Sequence, residues 1–153
     1  MPIYQSTFEI NTTAERVWEV LSNLDQYADW NPQIPFARGP AEVGSEMSLR
    51  LQLPGRPAMN LSATIEDVQP GSLLTWRGHV LAPWFFEGFR KFEISPVGEN
   101  RVRVTHVEDV HGLFAPLFDL FMGAPCRMGQ LALNEALRIR AEGKSWIPER
   151  SAK

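Results

Sequence analysis

The chain has 153 residues, 44% of them hydrophobic and 22% charged, with a formal net charge of −3. That length fits one domain over residues 1–153, able to bury about 70% of its unfolded surface, and the slightly acidic balance offers no electrostatic footprint for nucleic acid. A single cysteine, Cys126, leaves no internal disulfide, and the opening MPIYQSTFEI lacks the basic start and apolar run of a secretory signal, so the expected location is cytoplasmic.

Residues 3–10 alternate, with Tyr4, Phe8 and Ile10 on one face and Gln5, Thr7 and Glu9 on the other, the period of a half-buried strand. Asn11, Thr12 and Thr13 supply a cap for a helix whose apolar stripe is Val17, Trp18, Val20, Leu21 and Leu24, and which ends near Ser22 and Asn23. A short further helix fits residues 24–30, after which Asn31-Pro32 and Pro35 force extended chain around a corner. Four runs of strand character follow, residues 47–53, 59–68, 73–80 and 85–94, each closed by Gly or Pro and joined by linkers short enough for antiparallel hairpins. A last strand spans residues 101–111 and stops at Gly112. The chain to about residue 142 then reads as one long helix with Pro116 in its first turn and Gly143 as its stop. Pro125, preceded by Gly123-Ala124, is expected to kink or interrupt that helix. The most apolar stretch, residues 113–124, contains Asp119 and falls short of the roughly 18 uncharged residues a span requires, so no stable membrane insertion is expected.

One strand, two helices, a meander and a long final helix make an α+β fold, with six to seven strands and the helices gathered on one face. A meander covered on one face curls around its helix, and the gap between them is where a pocket for an apolar molecule forms. The order of elements resembles the helix-grip fold of the SRPBCC (START-like, birch-pollen-allergen-like) superfamily, in particular its polyketide cyclase/dehydrase and lipid-transport branch. Glu15-Arg16-Val17-Trp18-Glu19-Val20-Leu21 with Tyr27-Ala28-Asp29-Trp30-Asn31-Pro32 is similar to that family's first helices, and Leu74-Thr75-Trp76-Arg77-Gly78 to its mid-sheet strand. Phe92-Glu93-Ile94-Ser95-Pro96, the run from Arg101 to Glu108, and Gly112-Leu113 are similar to its last hairpin, and Asn134-Glu135-Ala136-Leu137 to its C-terminal helix. The resemblance implies an internal cavity that binds or carries a hydrophobic small molecule such as a lipid, an aromatic or a polyketide-like compound. As a second reading it implies a cyclase or dehydratase working in the same cavity. Arg90 departs from the family pattern, since many relatives carry a small polar residue or His there, and puts a cation near the pocket.

Alternation on the last strand sets Val102, Val104, His106, Glu108 and Val110 on one face, and that valine-rich face should point inward. Arg90 shares a face with Phe86, Phe92 and Ile94 one strand earlier, so Arg90, Glu108 and His106 are expected to form a polar cluster on an apolar wall, because a buried charge needs a partner. The cluster serves as a ligand anchor, as an acid/base pair of His106 and Glu108, or as an internal ion pair that satisfies itself. Trp30, Phe36, Leu49, Leu51 and Trp76 are the wall residues expected from corner and sheet, and Phe114, Phe118, Phe121 and Met122 those from the last helix; the same side chains also read as ordinary core. Trp84, Phe85, Phe86 and Phe89 cannot all face inward, so some form a lid or mouth, or else a patch for a homodimer or another protein. His79, His106, His111 and Cys126 have no metal-ligand spacing, and neither a phosphate loop nor a nucleophile elbow is present, so no metal and no cofactor are expected.

Overall fold

The computed structural model describes residues 3–143, so residues 1–2 and 144–153 of the expected domain lie outside the described residues. β1 (Ile3–Ile10) leads into α1 (Ala14–Ser22), a short 3-10 helix (Leu24–Asp29) and the corner. β2 (Phe36–Arg38), β3 (Glu46–Leu51), β4 (Met59–Gln69), β5 (Leu73–Val80), β6 (Phe86–Gly98) and β7 (Arg101–His111) follow, and α2 (Ala115–Ala141) closes the fold. All pairings are antiparallel, in the order β1-β7-β6-β5-β4-β3-β2. The sheet is thus a continuous meander with β1 added beside β7, and α2 lies against β1, β7 and α1.

Thr13 caps α1 by accepting from the Arg16 amide at 3.2 Å, as a threonine in extended conformation can. Arg16 then reaches across to the end of α2, donating to the carbonyls of Arg140 and Ala141 at 3.0 and 3.3 Å, in the last turn of the helix.

Three local features differ from the sequence expectation. β2 is a strand of three residues, too short to show a period, and is defined only by its pairing of Phe36, Ala37 and Arg38 with Arg50, Leu49 and Ser48. β6 runs on past Ile94 through Pro96, which sits at an irregularity in the β6–β7 register, the kind of place where a strand tolerates a residue without an amide proton. α2 continues through Pro125 without interruption. Proline cannot donate to the carbonyl four residues earlier, that of Phe121, and Arg56 Nη2 from the β3–β4 turn donates to it at 3.0 Å instead.

Two buried clusters occupy the space between sheet and helices. The larger joins α1, the corner and the C-terminal half of α2 to the sheet through residues such as Leu21, Trp30, Leu74, Phe92, Val104 and Leu137. The smaller, Tyr4, Leu53, Val110, Ala115, Phe118 and Cys126, lies under the N-terminal half of α2. One end of the grip is therefore filled with side chains, and the other is sparser.

Candidate functional site

At the sparser end the structure holds a cavity of about 270 Å³. Its origin lies in the register. One cross-strand row places Gly78 of β5 opposite Gly88 of β6 and Gly88 opposite Val110 of β7, with Ala63 of β4 beside Gly78. The neighbouring row toward the filled end carries Trp76, Arg90, Glu108 and Tyr4, and the row on the other side carries Leu49, Leu61, Val80 and Phe86. Small residues between two bulky rows leave a trough in the concave face, which α2 and the aromatics at its start cover.

The two glycines have different reasons for being there. A Cβ on Gly78 would lie 2.6 Å from the Ser62 carbonyl oxygen, so β4 and β5 come together only because that side chain is absent. A Cβ on Gly88 would meet nothing within 4 Å, so Gly88 leaves open space.

The mouth is built from the start of α2 and the loop before β6. Phe85 stacks on Phe114 with ring centres 5.6 Å apart, and Phe86 meets Phe114 edge-on at 5.7 Å and Phe118 at 4.9 Å. The backbone is tied across the same gap, with Leu113 and Phe114 amides donating to the Trp84 and Phe85 carbonyls. Gly112, at φ 108°, permits this approach, because a Cβ there would fall 2.5 Å from the Phe85 carbonyl oxygen.

Arg90 and Glu108 border the cavity, whose wall is apolar apart from these two, Ser62 and His79. Arg90 Nη2 donates to Glu108 Oε1 at 3.1 Å, and Nη1 donates to Gln33 Oε1 at 2.7 Å and contacts His106 Nε2 at 2.8 Å. A guanidinium has only donors, so His106 Nε2 must accept, which leaves the proton on Nδ1 to be donated to Asn134 Oδ1, 2.8 Å away. The chain continues from Asn134 Nδ2 to Ser6 Oγ, from Ser6 to Gln130 Oε1, and from Gln130 Nε2 to Glu108 Oε2, at 2.6, 2.8 and 3.1 Å. Gln33 Nε2 donates to the same Oε2 at 3.2 Å. Each amide and imidazole in this circuit has one orientation that satisfies it, and the whole carries one positive and one negative charge.

Complete burial, reinforced by the Arg90 charge, holds the His106 imidazole well below its ordinary value of 6.5 despite the opposing hydrogen bond to Asn134. His106 is therefore neutral, and Phe92 stacks on it at 4.3 Å. Cys126 also borders the cavity, and burial foremost, with Glu108 adding to it, pushes its thiol up to about 12. It stays protonated and behaves as a small apolar wall element.

The expected wall residues divide accordingly. Leu49, Leu51, Trp76, Phe86, Arg90, Glu108, Phe114 and Phe118 border the cavity. Trp30 and Phe92 are fully packed in the larger cluster, His106 is shielded behind Arg90, and Met122 packs against the smaller cluster. Phe36 and Phe121 are corrections. Phe36 pairs with Arg50, on the face of the sheet opposite Leu49 and Leu51, and lies under the guanidinium groups of Arg38 and Arg50. Phe121 is 62% exposed because Phe118 and Cys126 define the inward face of α2. Of the aromatic run before β6, Trp84 is 71% exposed, whereas Phe85, Phe86 and Phe89 border the cavity.

Sequence reasoning missed Gly78, Gly88, Ala63, Leu61, Val110 and Cys126 on the wall, and Gln33, Gln130, Asn134 and Ser6 in the polar circuit. The glycines were findable, since glycine inside a strand marks a close approach or an empty place. Among the described residues no group of three or more His, Cys, Asp or Glu is placed to hold a metal ion, and no helix is long and apolar enough to cross a membrane.

A seven-stranded antiparallel sheet gripping one long helix, with an apolar cavity between them, defines a helix-grip protein of the START-like class. The chain belongs to the family described as polyketide cyclase / dehydrase and lipid transport, whose model matches residues 1–139. Among solved structures it is similar to a START superfamily protein from Mycobacterium smegmatis, at 18% identity and a TM-score of 0.73 over 92% of this chain and 97% of that one. It is also similar to the Zhui aromatase/cyclase from Streptomyces sp. R1128, at 18% identity and 0.73 over 92% and 93% of the two chains. A third similar structure is norcoclaurine synthase from Thalictrum flavum in complex with dopamine and hydroxybenzaldehyde, at 16% identity and 0.69 over 95% and 89%. Likeness at these identities establishes the fold and nothing finer. No curated protein matches the chain in sequence.

Proposed function

We propose that this protein binds a hydrophobic small molecule in the cavity between β3–β7 and the N-terminal half of α2. The observation that carries the reading is the Ala63, Gly78, Gly88 and Val110 row, which keeps space open where leucines or phenylalanines would make a solid core. Filling that space takes apolar ligand surface out of water at about 25 cal/mol per Å², or about 2.5 kcal/mol for each 100 Å².

Binding without turnover is preferred to cyclisation or dehydration. His106 is fully buried, does not border the cavity, and has its one lone pair occupied by Arg90, so it offers a substrate neither a base nor an acid. Glu108 accepts three hydrogen bonds already, from Arg90, Gln33 and Gln130. The aromatase/cyclase and the synthase among the similar structures support a cavity suited to aromatic compounds, at the level of shape.

Native mass spectrometry of protein purified from its own cells, with extraction of what travels with it, tests the reading. A stoichiometric hydrophobic compound is expected. Protein that is empty and also binds no apolar probe would overturn it.

A further inference from the structure

Arg90 and Glu108 are the charged groups that meet the buried end of the cavity, and they neutralise each other at 3.1 Å. Every other member of the circuit, Gln33, Gln130, Asn134, Ser6 and His106, is uncharged. A ligand carboxylate placed there would add an unmatched negative charge to a balanced pair and set it beside the Glu108 carboxylate; a ligand ammonium would do the same beside Arg90. Burying an uncompensated charge is among the most costly events in a protein interior.

The circuit is nonetheless not closed toward the cavity. Arg90 has five N–H groups, and three are taken, by Gln33, His106 and Glu108. Nε–H and the second hydrogen of Nη2 have no hydrogen-bond acceptor among the described residues, the guanidinium otherwise lying 5.8 Å from the centre of the Trp76 ring, while the residue is 93% buried (7% exposed) and borders the cavity. A donor on a buried cation that lacks an acceptor favours a ligand that brings one.

Resting on the binding reading above, we propose that the cavity selects an uncharged hydrophobic molecule carrying a hydrogen-bond acceptor, a ketone or a phenol in kind, and discriminates against fatty or aromatic carboxylates. The acceptor lies against Arg90 and the apolar body fills the trough over Gly88. Three probes of one shape separate these terms: naphthalene, methyl naphthyl ketone and naphthoate, titrated calorimetrically at neutral pH into the wild-type protein.

The ketone should bind about tenfold more tightly than naphthalene, the gain of a hydrogen bond to a charged donor, and naphthoate at least about tenfold more weakly than the ketone. In Glu108→Gln the circuit gains a net positive charge, and naphthoate should overtake the ketone. Circular dichroism checks that the variant is folded; if it is not, the wild-type ranking decides alone. Naphthoate binding most tightly to the wild type would overturn charge balance as the selector while leaving the binding reading standing. Equal affinity for ketone and naphthalene would overturn the role given to Arg90. Failure of all three probes to bind would overturn the binding reading and this inference with it.

Discussion

Gly78 and Gly88 face each other across β5 and β6, yet substitution at the two should have opposite results. At Gly88 the backbone is not in the left-handed region and a Cβ meets nothing within 4 Å, so Gly88→Leu can extend into the cavity. Replacing a strand glycine recovers about 0.5–1 kcal/mol of backbone entropy, and a leucine side chain buried in the trough contributes up to about 1.5–3 kcal/mol. The variant should therefore be more stable than the parent by about 1–3 kcal/mol, a rise in Tm on the order of 2–4 °C for each kcal/mol at this chain length. At Gly78 even a methyl group lies 2.6 Å from the Ser62 carbonyl oxygen, and Gly78→Ala should cost about 1–3 kcal/mol through displacement of β4. Urea unfolding supplies the stabilities, and the fluorescence of N-phenylnaphthylamine, an uncharged apolar dye, supplies the binding. Gly88→Leu should unfold later and bind the dye at least about tenfold more weakly. A Gly88→Leu protein that is as unstable as Gly78→Ala, or that binds dye like the parent, would refute the assignment of the cavity to this row.

Glu108→Ala strands the Arg90 charge and should lower stability by about 3–5 kcal/mol, whereas the double variant Arg90→Met, Glu108→Leu should lose much less; a double-mutant cycle of unfolding free energies measures the difference. His106 is neutral in the fold while an unfolded imidazole takes up a proton near 6.5, so the unfolded state binds more protons below that pH. Its contribution to stability is complete above about 6.5 and is lost as pH falls from there toward the lowered folded value, by up to about 1.4 kcal/mol per pH unit. The slope should shrink in His106→Gln, and an unchanged slope in urea melts at stepped pH would contradict the neutral assignment. Arg56→Ala leaves the Phe121 carbonyl without its side-chain donor and should cost about 1 kcal/mol, with faster amide exchange around Pro125 as the local sign. Phe121→Ala and Phe36→Ala should leave dye affinity unchanged, since neither ring faces the cavity; a loss of affinity in either would place the site elsewhere.

The strands, helices and inward face of β7 were legible because each rests on a period: Val102, Val104, His106, Glu108 and Val110 alternate over enough residues to specify a buried face. Arg90 and Glu108 were legible as partners for the related reason that two inward charges on adjacent strands must meet. What escaped depends on contacts between segments distant in sequence. Pro125 reads as a kink or an interruption because nothing local reveals that Arg56 supplies the missing donor, and the interruption does not occur. Phe36 reads as a wall residue because only its pairing with Arg50 shows which way a three-residue strand faces. Gln33 and Gln130 are unremarkable polar residues until the fold sets them on either side of Glu108. The cavity itself comes from a coincidence of small residues on four strands, visible only when the register is known.

The central claim is that an apolar ligand sits inside the grip and not on the outer face of α2, where Leu120, Phe121, Met128 and Leu131 are exposed. Methyl NMR with leucine, valine and methionine labels, recorded during titration with methyl naphthyl ketone, tests it most directly. The account predicts saturable shifts at Leu49, Leu51, Leu61 and Val110, with Leu120, Met128 and Leu131 unmoved. Shifts confined to the outer leucines, with the cavity methyls silent, would contradict it.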